Sequence, residues 1–359
     1  MSVFESESFD DHEQVVFCSD RDSGLKAIIA IHSTAVGPGA GGCRMWPYAS
    51  EEEALRDVLR LSRGMSYKNV LAGVGLGGGK SVIIGDSKTQ KTPELLRAFG
   101  RYIEALGGRY ITAEDMGMSP ADLEIVATQT KYVAGRDKGQ AASGDPSPFT
   151  AHGVFSGIRA SVKQRLGTDD LKGMRVAVQG LGKVGYNLCR ELSEAGAELI
   201  VSDINPESVA RCVEEFDAVA VDPAEILSQN VDVLAPCAMG AIFDDASIPT
   251  LTAKVIAGGA NNQLAEARHG AVLRDLGILY APDYVINSGG IISVANEVHN
   301  IVVSHEEGMK RVENVYDILT DIFAMADKKK LPTSDIADEM AKTLIREAKA
   351  GEGQSHRAA

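Results

Sequence analysis

Three glycines stand close together between an apolar run and a helix-like segment. Gly180, Gly182 and Gly185 follow the strand-like run Met174–Gln179 in the spacing GxGxxG. The first glycine permits a tight turn, the second lets backbone amides approach an anion, and the third lets helix and strand pack closely. Free amides at a helix N-terminus favour phosphate. The pattern predicts a loop that binds a dinucleotide pyrophosphate; the alternative is a glycine-rich turn in a sheet that binds no dinucleotide.

An acidic residue follows the glycines at the spacing found in dinucleotide-binding folds. Asp203 ends a second strand-like run, Glu198–Asp203, 18 residues beyond Gly185. A carboxylate about 20 residues after the glycines is the group that holds the adenosine ribose. Because this charge repels a 2′-phosphate, and no arginine follows it directly, the sequence predicts NAD rather than NADP.

Two lysines in the first half could handle a substrate. Gly73–Lys80 resembles a phosphate loop, but the strand-like run Ser81–Ile84 follows it where such a loop requires a helix. We therefore expect these glycines to clear space for a substrate beside Lys80. Lys68 continues the apolar stripe of a predicted helix, so its amine should point inward. The residues of that stripe are Ala54, Val58, Leu61 and Met65.

If Lys68 and Lys80 share one cleft, one can bind a carboxylate. The other can act as a general base, because desolvation and a neighbouring cation both loosen its proton. The alternative is that both lysines reach into solvent.

Other polar side chains follow strand-like runs, where ligands collect in open α/β sheets. Asp115 comes just after Arg109–Ala113, although it could simply cap a turn. Asn261 and Asn287 follow runs in the second half. Their carboxamides could hold a nicotinamide carboxamide or a substrate amino group, or could be satisfied loop caps.

Strand-like runs alternate with helix-like ones along the chain, which indicates parallel βαβ units and an α/β fold. The small and rigid residues of Ser143–Pro148 separate two such series and suggest a hinge. We expect two lobes with a cleft between them, the second being a doubly wound sheet.

Composition limits the function classes. The chain has 359 residues, enough for about two domains, and 36 basic against 50 acidic side chains give a net charge of −14. This balance disfavours nucleic acid and anionic membranes as partners. Five cysteines without metal-ligand spacing predict reduced thiols and no metal site. With neither a signal peptide nor an apolar run of about 20 residues, we expect a cytoplasmic protein.

Nearly the whole chain resembles the Glu/Leu/Phe/Val amino-acid dehydrogenase family. The stretches that carry the resemblance are Gly41–Met45, Arg63–Lys68, Gly77–Lys80, Tyr110–Asp115, Pro146–Thr150, Gln179–Gly182, Ala235–Ala238, Ala260–Leu264 and Ala281–Asn287.

The resemblance implies a domain division and an assembly. Residues 1–145 would form a substrate-binding, catalytic and oligomerisation domain, 146–330 a Rossmann NAD-binding domain, and 331–359 a C-terminal helix and tail. It also implies a homo-oligomer, with an octamer expected.

The resemblance further implies residue roles. Lys68 would bind the substrate α-carboxylate with the backbone of Gly41 and Gly42. Lys80 would activate the amino group and then the hydrolytic water, and Asp115 would relay protons. Asn261 would contact both substrate and nicotinamide. The implied cofactor-binding residues are Thr150, Gly180, Leu181, Gly182, Lys183, Val184, Gly185, Asp203, Ala238 and Asn261.

The implied reaction is the NAD-dependent, reversible oxidative deamination of a branched aliphatic L-amino acid such as leucine, valine or isoleucine, giving the 2-oxo acid, ammonia and NADH. Ala40, Ala113, Ile291 and Val294 would line an apolar side-chain pocket that excludes a glutamate-like substrate. Members of the branched-chain group usually carry a leucine where this chain has Ala40, which would widen the pocket, whereas Ile291 narrows it. A phenylalanine or valine dehydrogenase is the alternative enzyme. An inactive NAD-binding scaffold is the non-enzymatic alternative, against which Lys68, Lys80 and Asp115 together argue.

Overall fold

The computed structural model describes residues 3–136, 145–238 and 240–355, with side chains as far as residue 351. The chain divides into two compact units. The first comprises the described residues within 1–145, 294–303 and 341–359, and the second those within 146–293 and 304–340. Residues 331–359 are thus no segment of their own, because both units include part of them. Of the predicted hinge, Ser143 and Gly144 lie outside the described residues.

The first unit contains a five-stranded mixed sheet. Its strands are β1 (Gln14–Asp20), β2 (Leu25–Ser33), β3 (Gly39–Trp46), β4 (Gly77–Ile84) and β5 (Tyr110–Ala113). Its first helices are α1 (Glu51–Leu71), α2 (Pro93–Ala105) and α3 (Pro120–Val126). The strand order is β1-β2-β4-β3-β5, in which β4, β3 and β5 run parallel and β2 is antiparallel to both its neighbours. The residues after β3 and β5 therefore meet at one edge of the sheet.

Strand β2 is buried on both faces, which explains its continuous apolar sequence. Ile29 and Ile31 pack into the cluster that contains Phe99 of α2. Ile28 and Ala30 pack on the other face, against the cluster formed by α1. Alternate residues of one strand thus hold a helix on each side of the sheet.

The inward face of α1 differs in part from the predicted stripe. Ala54 and Val58 are buried as predicted, but Leu61 and Met65 are only half-buried. Instead Ser62 and Ser66 are buried. Ser66 is small because the helix lies very close to Gly78 of β4 at this point. Ser62 Oγ lies 3.0 Å from His12 Nε2.

The second unit contains a six-stranded parallel sheet. Its strands are β6 (Arg175–Gln179), β7 (Glu198–Ser202), β8 (Val219–Ala220), β9 (Val233–Pro236), β10 (Val255–Ile256) and β11 (Leu279–Tyr280). The strand order is β11-β10-β9-β6-β7-β8, which is doubly wound. The chain adds strands outward on one side of β6 and then on the other, so the strand order reverses between β6 and β9. Ligands bind at the carboxyl ends of strands beside such a reversal.

The remaining helices follow in chain order. They are α4 (Ser147–Leu166), α5 (Lys183–Glu194), α6 (Pro206–Phe216), α7 (Arg268–Asp275), α8 (Asp283–Ile286), α9 (Gly289–Val298), α10 (His305–Val312), α11 (Asn314–Lys329) and α12 (Thr333–Ser355). Within the described ranges, every helix is too short or too polar to cross a bilayer. Across the same ranges, His, Cys, Asp and Glu side chains form no group of three able to hold a metal ion.

Candidate active site

An ion pair joins two of the predicted catalytic residues. Lys80 lies within β4 and Asp115 follows β5. The Lys80 Nζ is 2.7 Å from Asp115 Oδ2, and only 9% of the Lys80 side chain and 21% of the Asp115 side chain are exposed. The register of the sheet pairs Cys43 of β3 with Ser81 of β4 and Gly42 with Ala113 of β5, so that Lys80, in the middle of β4, lies close to the chain that leaves β5.

A third charged residue completes this cluster. Arg44, in β3 between the two strands, places its Nε 3.3 Å from Asp115 Oδ2. Its Nη1 donates to Asp57 Oδ2 at 2.9 Å, and the hydroxyl of Tyr48 donates to the same oxygen at 2.6 Å. Arg44 was not among the site residues that the sequence predicted. A charged residue inside an otherwise apolar strand was the available signal.

The electrostatics of Asp115 follow from these neighbours. Burial, the largest single influence, raises the pKa of its carboxyl, but Lys80 and Arg44 lower it more, to about 2. For Arg44, burial is again the largest single influence and lowers the pKa of the guanidinium. The charges of Asp115 and Asp57 outweigh burial, so the pKa is raised overall. Asp115 is therefore a stable carboxylate that accepts hydrogen bonds and offers a negative charge to Lys80.

The glycines before Lys80 make room for the protein's own atoms, which corrects the expectation that they clear space for a substrate. Gly77, Gly78 and Gly79 are part of strand β4. A Cβ on Gly78 would lie 2.2 Å from the backbone nitrogen of Ser66 in α1, and one on Gly79 would lie 2.6 Å from the ring of Tyr110. The glycines thus allow α1 to cross directly over β4.

Lys68 is half-buried on the last turn of α1. This part of the helix is fixed at two points. Ser66 lies against Gly78, and the Asn69 amide donates to the carbonyl oxygens of Gly77 at 2.6 Å and Ala40 at 3.3 Å. The strands that carry Lys80 and Ala40 therefore also anchor the turn that carries Lys68.

Gly41 and Gly42 lie in β3 beside these groups. A Cβ on Gly42 would come within 2.8 Å of the Asp115 Cβ, and one on Gly41 within 2.9 Å of the Met65 Cγ. Both glycines are therefore required by close packing around Asp115 and α1. Their predicted contact with a substrate carboxylate stays a prediction.

Two of the four predicted pocket residues share one apolar cluster. Ala40 is buried with Leu76, Ile111, Ala134 and Ala295, and the half-buried Val294 packs against this group. Ala113 is half-buried in β5, opposite Gly42. Ile291 is half-buried in α9 and belongs to the second unit. Leu76 and Ile111 were not predicted as members of this cluster, because nothing in their local sequence pattern separates them from ordinary core residues.

The glycine fingerprint of the second unit has the geometry of a phosphate cradle. Gly180 has φ of +92°, and a Cβ there would lie 2.6 Å from that of Ala238, which follows β9. A Cβ on Gly185 would lie 1.9 Å from the Gly180 carbonyl oxygen. Gly182 differs, because among the described residues no atom beyond its two chain neighbours lies within 4 Å of its Cβ position.

The helix that follows begins at Lys183, and its N-cap Gly182 offers no side-chain hydrogen bond. Lys183 is exposed and Val184 half-buried. Uncapped amides beside the open position of Gly182 fit a pyrophosphate. The residues present thus suit a dinucleotide.

Asp203 stands directly beside this loop. Its Oδ2 accepts from the Leu181 N–H at 2.6 Å and its Oδ1 from the Asn205 N–H at 2.7 Å. Each carboxylate oxygen keeps a further lone pair for a hydroxyl donor. The carboxylate is therefore held at the end of β7, beside the cradle.

Two predicted nicotinamide contacts border the same segment, Asn287–Gly290. Asn261 is exposed, and its Oδ1 accepts from the buried Asn287 at 2.7 Å. Thr150, in the first turn of α4, has its Oγ1 2.7 Å from the Cβ position of Gly290. The second unit thus brings together the glycine loop with Asp203 and, around this segment, Thr150 with Asn261.

Comparisons with known proteins agree with this arrangement. Residues 12–132 match the family model described as Glu/Leu/Phe/Val dehydrogenase, dimerisation domain. Residues 201–353 match the model described as Glutamate/Leucine/Phenylalanine/Valine dehydrogenase.

Individual relatives span almost the same length. The chain is 54% identical to the leucine dehydrogenase of Geobacillus stearothermophilus, over 96% of this chain and 94% of that one. It is 48% identical to the valine dehydrogenase of Streptomyces virginiae, over 94% and 95% respectively. The crystal structure of L-tryptophan dehydrogenase from Nostoc punctiforme superimposes with a TM-score of 0.83 at 46% identity, covering 94% of this chain and 97% of that one. The chain therefore belongs to the Glu/Leu/Phe/Val dehydrogenase family.

Proposed function

We propose that this amino-acid dehydrogenase catalyses the NAD-dependent, reversible oxidative deamination of branched-chain L-amino acids to 2-oxo acids and ammonia. The observation that carries the proposal is the buried Lys80–Asp115 pair in the same unit as an uncharged cluster around Ala40 and Val294. A desolvated amine beside a carboxylate suits proton transfer at an amino group, and an apolar pocket suits an aliphatic side chain.

Each charged group has a distinct task in this proposal. Lys68 binds the substrate α-carboxylate, aided by backbone amides at Gly41 and Gly42. Lys80 takes a proton from the substrate amino group and passes it on through Asp115, whose carboxylate also holds the ammonium form of Lys80 in place. The amine then takes a proton from the attacking water and returns it to the nitrogen that leaves as ammonia. The proton of the hydroxyl formed from that water leaves by the same route as the carbonyl of the 2-oxo acid forms. Bound NAD supplies the acceptor for the hydride that leaves the substrate Cα.

The second unit holds the cofactor in this proposal. The loop from Gly180 to Gly185 binds the pyrophosphate, with Leu181, Lys183 and Val184 as its intervening residues and Ala238 packed beside it. Asp203 accepts from the adenosine ribose and rejects a 2′-phosphate, which makes NAD the cofactor. Thr150 and Asn261 hold the nicotinamide.

The side-chain pocket favours leucine, valine and isoleucine. Ala40, Ala113, Ile291 and Val294 add no charge that could pair with a glutamate side chain. The small Ala40, in the cluster with Leu76 and Ile111, supports a second candidate, an aromatic substrate such as phenylalanine, because alanine occupies less of a side-chain pocket than the leucine usual at this position. Discrimination by one or two methylenes amounts to only about 1–3 kcal/mol, so we expect a graded preference.

We further propose a homo-oligomer, with an octamer as the expected assembly, in a cytoplasmic location. The match of residues 12–132 to a dimerisation domain supports self-association, and five free thiols suit a reducing compartment. Light scattering coupled to gel filtration measures the mass of the assembly, and a monomer of 38.0 kDa would contradict it.

A substrate panel tests the proposed function. We expect NADH formation monitored at the nicotinamide absorbance band with L-leucine, L-valine and L-isoleucine, less with L-phenylalanine, and none with L-glutamate. We also expect NADP to be used at least about 100-fold less efficiently than NAD. A highest kcat/KM for phenylalanine would favour the aromatic candidate, and an absence of turnover with every amino acid would reject the enzyme.

A further inference from the structure

Asn287 fixes which way the Asn261 carboxamide faces. Asn287 is 3% exposed, and its Nδ2 donates to the Gly259 carbonyl oxygen at 3.2 Å and to Asn261 Oδ1 at 2.7 Å. A backbone carbonyl can only accept, so the atom that faces Gly259 must be the amide nitrogen of Asn287. The second hydrogen of that nitrogen then meets the oxygen of Asn261. Asn261 is thereby left with its own NH₂ as the group to offer a ligand.

The hydroxyl of Thr150 has the opposite polarity. Its Oγ1 donates to the Pro146 carbonyl oxygen at 3.1 Å. Since a hydroxyl has one hydrogen and two lone pairs, Thr150 is left as an acceptor. Thr150 lies against Gly290, three residues beyond Asn287. A donor and an acceptor thus border one short segment of the second unit.

We propose that Asn287 is a positioning residue that keeps Asn261 a hydrogen-bond donor, so that Asn261 and Thr150 together recognise an uncharged primary carboxamide. The carbonyl oxygen of such a group accepts from Asn261, and its NH₂ donates to Thr150. A substrate ammonium carries donors only and has no match at the Asn261 side chain. This inference rests on the proposed function, in which the carboxamide is that of nicotinamide.

Binding without turnover tests the polarity. Isothermal titration of the intact protein compares NAD with its 3-acetylpyridine analogue, which keeps the carbonyl but lacks the NH₂, and with ADP-ribose, which lacks the whole ring. In the wild type we expect NAD to bind about three- to tenfold more tightly than the acetylpyridine analogue, as one neutral hydrogen bond allows. In Thr150→Val this preference should disappear.

Asn287→Asp tests the positioning role, because a carboxylate of the same shape accepts from Asn261 and turns its carbonyl oxygen toward the ligand. We expect NAD binding to weaken about tenfold while ADP-ribose binding changes less than twofold. Asn314→Asp, at an exposed position in the same unit, adds the same charge and should leave both affinities unchanged.

The outcomes separate the two proposals. Unchanged NAD affinity in Asn287→Asp overturns the inference. If Asn287→Asp also loses affinity for ADP-ribose, the inference is tested on the wild type alone. Equal wild-type affinities for NAD and the acetylpyridine analogue would then overturn it. A wild type that binds neither NAD nor ADP-ribose rejects the proposed function itself.

Discussion

At the scale of single residues, the charged groups of the candidate active site meet at one carboxylate oxygen, Oδ2 of Asp115. Asp115 Oδ2 faces both Lys80 and Arg44, and Asp57 in turn fixes Arg44. Arg44 has its charge whatever the state of Lys80, so Asp115 keeps a cationic neighbour when Lys80 loses its proton. In the proposed reaction, Arg44 would therefore stabilise the Asp115 carboxylate during proton transfer.

Arg44→Met should change the pH dependence of the reaction. The pKa of Asp115 is held at about 2 because Lys80 and Arg44 outweigh the effect of burial. Loss of Arg44 raises that pKa, and the ionised form is then lost as pH falls through the higher value. The acidic limb of the kcat/KM profile should move to higher pH, so the variant should lose more activity at pH 5 than at pH 8.

Arg56→Met is the matched control, since Arg56 is exposed on α1. Its profile should superimpose on that of the wild type. An Arg44→Met profile of unchanged shape, merely lower at every pH, would show that Arg44 only supports packing.

Residue types and position predicted Lys80 and Asp115 as site residues separately, Asp115 because it follows the carboxyl end of a strand and Lys80 because it follows a run of glycines. They did not predict Arg44 or the orientation of Asn261. Each of those depends on contacts with residues distant in sequence, such as Asp57 beside Arg44 and Asn287 beside Asn261. No local pattern encodes such contacts.

At the scale of secondary-structure elements, two glycines test the close packing of α1 on β4. Gly78 lies at this contact, whereas Gly64 has space around it. A Cβ on Gly78 would lie 2.2 Å from the Ser66 nitrogen. A Cβ on Gly64, inside α1, would have no atom of the described residues within 4 Å apart from its chain neighbours and the backbone of its own helix. Gly78→Ala should lower the free energy of unfolding by about 1–3 kcal/mol or more and reduce activity, because α1 and Lys68 must shift.

Gly64→Ala should raise the free energy of unfolding by about 0.5–1 kcal/mol, because alanine favours helix more than glycine does. Urea unfolding measures the free energy of unfolding of both variants and of the wild type. Equal effects would contradict the close approach of α1 to β4.

Two glycines of the fingerprint distinguish ligand space from packing space. Gly182→Ala places its methyl group in the open position, so the thermal midpoint should change little while NADH binding weakens at least about tenfold. Gly185→Ala meets the Gly180 oxygen at 1.9 Å and should lower the midpoint itself. Differential scanning fluorimetry and NADH fluorescence titration check both results. Unchanged NADH affinity in Gly182→Ala would mean that the loop does not hold the cofactor.

The sequence predicted β5, β6, β7 and the later part of β4, because each of these strands is an apolar run beside turn residues. It did not predict β3 or the start of β4, since glycines weaken the strand pattern there. Gly77–Gly79 adopt strand structure because neighbouring strands and α1 leave space for no side chain. In this case tertiary packing outweighs local propensity.

At the scale of the whole molecule, the chain returns to its first unit with residues 294–303 and with the described residues from 341 to 355. Ala295 packs with Ala40 and Leu76, and Lys349 lies 3.9 Å from Glu13. The division between residues 145 and 146 coincides with a change in composition that the sequence shows. The later segments join the first unit through packing between residues distant in sequence, and no change in composition marks them.

A buried histidine near the N-terminus should make stability depend on pH. His32 donates to or accepts from Ser66 Oγ at 2.7 Å, and its ring lies 4.9 Å from that of His12. Burial, and then His12, lower the pKa of His32 to about 4, below its usual 6.5. The neutral ring thus contributes stability that is present above pH 6.5 and is lost as pH falls toward 4.

We expect His32 to account for about 2 kcal/mol of the stability lost between pH 7.5 and pH 5. His32→Gln removes the titration, so its urea midpoint should fall less than that of the wild type over this range, at one fixed protein concentration. Parallel falls in both proteins would show that His32 does not titrate in this way.

The central claim is that Lys80 moves the protons of an amino-acid dehydrogenase. The most direct measurement is leucine-dependent NADH formation by the wild type and by Lys80→Ala, with NADH binding followed in parallel. We predict that Lys80→Ala lowers kcat at least about 1000-fold while NADH affinity stays within about twofold. Turnover by Lys80→Ala at the wild-type rate, or no turnover by the wild type itself, would contradict the claim.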